Sequence, residues 1–344
     1  MQVRYLTFAS AIAAALSLVQ IQANAQAVAA KPAGKTAGTW TTPRTPDGQP
    51  DLQGNWANNN ATPLERPKEL AGRAFLTDEE VAALRKKAAE LFNGQSDAAF
   101  GDSVFLNVLA NVKGTKAGFK STDGETGDYS SVWTVERDFD NRTSLITEPP
   151  DGRLPAMTPQ AKQRQADIAA RARREATGPE DRSLSERCIT FGSPRLGAGY
   201  NSYFQILQSA KQAVILMETI HDARVIPLDG SPHVPANIQT WMGDSRGHWE
   251  GDTLVVDTTN YKPGAFMNVS TAKLHVVERY TRTGPDSLKW EIKVDDPGAW
   301  EKPWTAMIPL RHSKEALFEY ACQEGNYGLQ GILAGARADE ALLK

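Results

Sequence analysis

Trp241 to Tyr261, WMGDSRGHWEGDTLVVDTTNY, is the stretch whose reading decides the fold. Its second half, Thr253-Leu-Val-Val-Asp-Thr-Thr259, is β-branched and reads as a strand, and Gly251-Asp252 ahead of it has the chemistry of a tight hairpin turn. Its first half packs Asp244, Arg246, His248 and Glu250 with Trp241 and Trp249 into ten residues around two glycines. That is too polar for a core strand and too aromatic for an idle loop.

Working outward, the chain from Tyr200 to the Tyr320 region is a series of short strands: Phe204–Leu207, Ala213–Ile220, Arg224–Leu228, Thr253–Asn260, Leu274–Arg282, Ser287–Val294, Thr305–Leu310 and Leu317–Ala321. Turn residues separate them, as in Thr283-Gly-Pro-Asp286 and Asp229-Gly-Ser-Pro232, and leave no room for helices. Antiparallel neighbours follow, so the fold class is mainly β (α+β): an antiparallel β-barrel or a strongly bent sheet, lipocalin-like in size, with a helical and loop-rich N-terminal wrap. In Leu274 to Arg282 one face carries Leu274, Val276, Glu278 and Tyr280, the other His275, Val277, Arg279 and Thr281. Whichever face is buried takes a charge inside, and that charge must be paired with an arginine or face a wet cavity.

Residues 1–25 hold Arg4, an apolar run from Ala9 to Ile21, and Ala23-Asn-Ala25, the pattern of a secretory signal peptide. The apolar run is short of the roughly 20 residues that span a bilayer, so no membrane insertion is expected after signal removal and the mature chain is expected to be periplasmic or secreted. Residues 26–45, rich in Ala, Lys, Gly, Thr and Pro, read as a disordered tether. Residues 46–184 read as a helical and irregular region, and 185–344 as the antiparallel β domain. Thr77-Asp-Glu-Glu80 fits a capping box that starts a helix with Val81, Leu84, Ala88 and Leu91 on one face. Gln95 to Gly127 reads as a long loop or cover around the apolar patch Val104 to Val112. Tyr129–Thr134 and Arg142–Glu148 read as short strands, and Thr158-Pro159 opens a second helix whose five basic residues read as a solvated face.

A net charge of −3 without a long basic or acidic block argues against nucleic acid and anionic membrane surfaces as partners. The partner expected is a small-molecule ligand or substrate. Cys188 and Cys322 are the two cysteines; in an exported chain a disulfide between them is the first reading and two buried thiols the second. A bridge over so long a loop removes roughly 4 to 5 kcal/mol of unfolded-state freedom.

The five histidines, His221, His233, His248, His275 and His312, include no short-spaced pair, so no metal is expected, and no cofactor. G-x-S-x-G, P-loop, Rossmann-glycine and HExxH patterns are missing from the sequence, which lowers four enzyme classes together. His221 ends an aliphatic run beside Asp222, as an oriented general base requires, although an ordinary hairpin corner has the same letters. Glu278 shares its face with apolar neighbours and is the candidate acid. Arg224, Arg246 and Asp244 are candidates for holding a polar group, His248 is a further candidate at the mouth, and Trp241 and Trp249 would form an apolar wall. The bland reading of the same loop is a hairpin with an Asp–Arg pair.

Several blocks together resemble an uncharacterised family of exported bacterial proteins. They are Thr45-Pro-Asp-Gly-Gln-Pro-Asp-Leu-Gln-Gly-Asn-Trp56, Glu186-Arg-Cys188, Glu218 to Arg224, Trp241 to Thr258, Glu278-Arg-Tyr280, Asp296-Pro297 with Pro303-Trp304, and Cys322 to Asn326. The resemblance covers most of the mature chain. It implies export and a shared fold, and it carries no activity, cofactor or catalytic residue with it. Two functions are expected from the residues: a cofactor-independent lyase, isomerase or hydrolase working by acid–base catalysis in a barrel mouth, or a non-catalytic carrier of a small apolar or sugar-like ligand.

Overall fold

Alternating apolar runs become a sheet when neighbours can share a buried face, and here they build one ten-stranded sheet. The computed structural model describes residues 40–92, 102–115 and 137–342. Its strands are β1 (Gly54–Ala57), β2 (Ile146–Glu148), β3 (Tyr203–Gln208), β4 (Gln212–Met217), β5 (Ala223–Pro227), β6 (Asp244–Glu250), β7 (Thr253–Thr259), β8 (His275–Gly284), β9 (Ser287–Asp295) and β10 (Trp304–Ser313). Their order is β5-β4-β3-β1-β10-β9-β8-β7-β6, with β2 pairing β10 off that path. Every pairing is antiparallel.

The register stacks apolar side chains in rows on one face. Leu254, Tyr280, Trp290 and Ile308 lie across β7, β8, β9 and β10, and Val256, Glu278, Ile292 and Ala306 form the next row. The opposite arm adds Phe204, Ile206, Ile215 and Ile226 to the same core. Phe204 on β3 meets Trp290 on β9 at 5.7 Å between ring centres, so the sheet bends until its two arms touch across the interior. The enclosed space is filled by aromatic rings, which corrects the expectation of a hollow ringed by charged side chains.

The edges β5 and β6 approach without a hydrogen-bonded ladder between them among the described residues. A Cβ on Gly247 of β6 would lie 2.8 Å from Ile226 Cγ2 and 2.7 Å from Leu228 Cδ2, so glycine is what lets this side-chain contact form. The sheet is therefore strongly bent and not closed into a barrel.

Helix α1 (Asp78–Leu91) begins at the expected capping box, with Thr77 accepting from the Glu80 N–H and the Glu80 side chain from the Thr77 N–H. It shares a second, smaller core with α2 (Ser103–Val112), built from Val81, Leu84, Val104, Phe105 and Val108. The expected loop around Val104 to Val112 is thus a helix. Helix α3 (Pro159–Ala172) is capped by Thr158 and buries only Ala161; of its basic residues, Arg164 is not solvated but donates to the Val269 and Gly298 carbonyls. Residues 327–342 form α4 (Tyr327–Leu342).

Four other expectations change. The polar half of the opening stretch is a strand, β6; Ala213–Ile220 stops being strand at Met217; residues 317–321 join no strand of the sheet; and Leu52 to Trp56 supplies a strand, β1, not only anchors. Tyr129–Thr134 and residues 1–39 lie outside the described residues. Among the described residues no helix is long and apolar enough to cross a membrane.

Gly247→Val should force the two edges apart. The expected cost is about 1–3 kcal/mol of stability by overpacking, read as a lower urea midpoint.

Candidate functional site

The residues expected to form one site fall into three places. Glu278 and Arg224 are inside. Glu278 is 0% exposed, and its two oxygens accept both terminal nitrogens of Arg224, Nη2 at 2.9 Å. Tyr280 Oη and Trp290 Nε1 donate to Glu278 Oε1 at 2.7 and 3.0 Å. A buried carboxyl group whose oxygens are occupied by four donors serves the structure, which corrects its role as proton-donating acid. Arg224 is saturated by the same pair and does not hold a ligand. Burial, reinforced by the adjacent Glu278 charge, pushes the Tyr280 hydroxyl well above its ordinary value.

Asp244, Arg246 and His248 alternate with the inward residues of β6 and lie on the outer face. Arg246 Nη1 donates to Asp244 Oδ1 at 2.9 Å, an Asp–Arg pair that runs along one strand and does not cross a hairpin turn. His248 is 59% exposed and shares a proton with Glu250 at 3.1 Å. Trp241 and Trp249 are half-buried against the main core, so they pack the fold and line no cavity together.

His221 alone lines a cleft. That cleft, of about 380 Å³, lies on the outer face between β1, β3 and β4 and the chain at residues 316–319. Asn55, Gln205 and Leu216 are cross-strand neighbours in its floor. Its roof is a strap running from the end of β10 to Cys322, which is disulfide-bonded to Cys188 across 134 residues of sequence. The strap's backbone donors are spent on side chains: Phe318 N–H on Glu218 Oε2 at 2.9 Å, and Tyr320 N–H on His221 Nε2 at 2.9 Å. Glu218 is only 2% exposed, and its other oxygen accepts from Asn201 Nδ2 at 2.7 Å. A main-chain N–H only donates, so His221 Nε2 presents its lone pair and the neutral ring carries its proton on Nδ1.

Ile220 and His221 both sit at positive φ, 57° and 56°, a conformation costing about 1–3 kcal/mol for each non-glycine residue. It delivers His221 to the cleft edge. Asp222 turns away to Thr190, whose hydroxyl donates to it at 2.7 Å, and burial lifts its carboxyl above the ordinary value. Asn55 completes the lining: its Nδ2 donates to the Glu315 carbonyl at 2.7 Å, while its Oδ1 is buried without a partner.

Sequence reasoning missed Asn55, Glu218 and the strap. Leu317–Ala321 has the alternation of a strand, and nothing local shows that its N–H groups go to side chains. Among the described residues no group of three or more His, Cys, Asp or Glu side chains is placed to hold a metal ion. No known family profile matches the chain. No curated protein is significantly similar to it.

Glu278→Ala should cost about 3–5 kcal/mol, because it strands the Arg224 charge in the interior. Combined with Arg224→Ala, the loss should fall short of the sum of the single losses by at least about 1 kcal/mol. Urea denaturation of the two single variants and the double variant checks both numbers.

Proposed function

We propose that the protein is a non-catalytic carrier of a small, uncharged, hydroxyl-bearing organic molecule, sugar-like in its polar groups, bound in the cleft under the C-terminal strap. The observation that carries this reading is the buried Asn55 Oδ1, an acceptor without a donor in the wall of a cavity large enough for a ligand. A buried polar atom left unpaired is costly, and a ligand hydroxyl would satisfy it. His221 Nδ1–H supplies a donor at the other side, and Leu216, Met217 and Leu317 supply apolar contact. The lining holds Glu218 and Glu319 and no Lys or Arg, which disfavours anionic ligands. Arg224 and Arg246, which would have held a carboxylate, are already paired with Glu278 and Asp244.

A second reading, a cofactor-independent lyase, isomerase or hydrolase, is favoured by the strained backbone that holds His221 at the cleft edge. In that reading His221 works as the base once the strap lifts from Nε2. The supporting frame is an exported one: a leader at residues 1–25, the resemblance of the Trp241 to Thr258 block to exported bacterial proteins, and a disulfide are all compatible with a periplasmic or secreted carrier.

Native mass spectrometry of the protein purified from its own host should show a bound neutral species. A thermal-shift screen of neutral mono- and disaccharides and polyols should give a saturable rise in Tm. Asn55→Leu should weaken that binding by about 10- to 100-fold, the value of one buried hydrogen bond. An exclusively ligand-free protein that also ignores the whole panel would sink the carrier reading, and turnover abolished by His221→Gln would replace it with the enzymatic one.

A further inference from the structure

Away from the cleft, five side chains on the outer face form one continuous chain. Arg246 Nη1 donates to Asp244 Oδ1 at 2.9 Å, and Asp244 Oδ2 faces His233 Nδ1 at 2.8 Å. His233 Nε2 faces Asp257 Oδ1 at 2.9 Å, and Asp257 Oδ2 faces His275 Nε2 at 2.7 Å. Both ring nitrogens of His233 therefore look at carboxylate oxygens, which only accept. Both contacts are hydrogen bonds only while each nitrogen carries a proton; a neutral ring donates through one and turns a lone pair toward the other carboxylate.

His233 lies in residues 229–240, the connection between β5 and β6. Those are the two sheet edges that meet without a ladder. The connection is also held by Arg246 Nε on the Pro232 carbonyl at 3.0 Å and by Val234 N–H on Asp244 Oδ2 at 3.2 Å. Asn260 Nδ2 reaches the carbonyls of Val234, Pro235 and Ile238. The geometry points to His233 as a proton-operated latch: protonated, it fastens the 229–240 connection to β6 and β7 through Asp244 and Asp257, and deprotonated, it lets that connection loosen at the open seam. Nothing in this latch depends on the cleft or its ligand.

Asp244 of β6 and Asp257 of β7 face His233, and Arg246 of β6 is paired with Asp244; His275 comes from β8, Asp295 and Lys293 of β9 act on His275, and Asp229 of the connection interacts with Arg246. The Asp257 hydrogen bond holds the His275 imidazole above its ordinary value, against partial burial. The His275 hydrogen bond in turn holds Asp257 below the usual carboxylate value. The sign follows. A raised imidazole stabilises the folded pairing below the ordinary histidine value of about 6.5, and that stabilisation fades as pH rises through the raised value. A lowered carboxylate stabilises it above about 3.9 and loses it only as pH falls through the lowered value. The His275–Asp257 pair beside the latch is therefore fastened in mild acid and weakens on the alkaline side.

Hydrogen exchange of the full chain at pH 5.5 and pH 8.5, expressed as protection factors to remove the intrinsic rate, reads the latch. Protection in residues 229–240 should fall roughly three- to tenfold at the higher pH, the range that one partly exposed charge pair supports, while β9 stays unchanged. In His233→Gln the two pH values should give equal protection. Equal protection in the unsubstituted protein, or an undiminished fall in His233→Gln, overturns the proposal. Should that variant fail to fold, NMR titration of the unsubstituted protein decides. Amide shifts of residues 229–240 that follow the His233 ring support the latch, and amide shifts flat through its titration overturn it.

Discussion

The ion pair between Arg224 and Glu278 is the constraint around which the sheet is bent. Arg224 is on β5, an edge, and Glu278 is on β8, six strands along in the sheet order. In a flat sheet they would be far apart, and each would leave a bare charge among apolar neighbours at a cost of several kcal/mol. Rolling the sheet brings them together and encloses the pair with Tyr280 and Trp290, which supply the remaining hydrogen bonds. The pair also fixes register. A slip of one residue in β5 or β8 would turn Arg224 or Glu278 to the outer face and leave its partner alone inside. Replacement by apolar residues of matching size would satisfy the interior equally well, so the pair's contribution is to choose one rolled arrangement over others more than to add net stability.

Filling the interior with that pair and its aromatic neighbours moves any binding space outside. The chain after β10 does not continue the sheet; it crosses the outer face, and its N–H groups at Phe318 and Tyr320 are satisfied by Glu218 and His221. Side chains here do what a neighbouring strand does elsewhere, holding an extended segment off the sheet by their own length. The space left between strap and sheet is the cleft. One end of the strap is continuous with β10 and the other is tied to Cys188, and the Tyr320 ring meets Phe191 and Tyr200 edge-on, so the segment keeps its place.

Much of this was readable from the letters, and the failures have physical causes. Strands β7 to β10 follow from alternation because one face of each is apolar in sequence as well as in space. β6 did not, since its inward residues are Ser245, Gly247 and Trp249, and Gly247 is small because Ile226 and Leu228 arrive from the far edge. That fact is non-local. Helix α2 hid because Asp102, just before it, caps no helical N–H and instead accepts from the Leu64 N–H. For Glu278 the letters allowed a cavity or a buried cation; the choice depended on curvature, which no single strand records. The cleft was reached in sequence only through His221, the one expected site residue that the structure leaves at a cavity.

The same division of the sheet explains where the imidazoles went. In strands whose inward positions are taken by apolar side chains and one ion pair, the alternating polar residues face outward. His233 and His275 converge there on Asp257, and His248 pairs with Glu250. On that face a carboxylate partner need not offset full desolvation, because water still reaches the group, and small changes in proton activity translate into small changes in attachment. Proton-linked behaviour then belongs to connections lying over the sheet, while the rolled core beneath them is held by an arginine and a carboxylate whose hydrogen bonds are made to each other and to Tyr280 and Trp290.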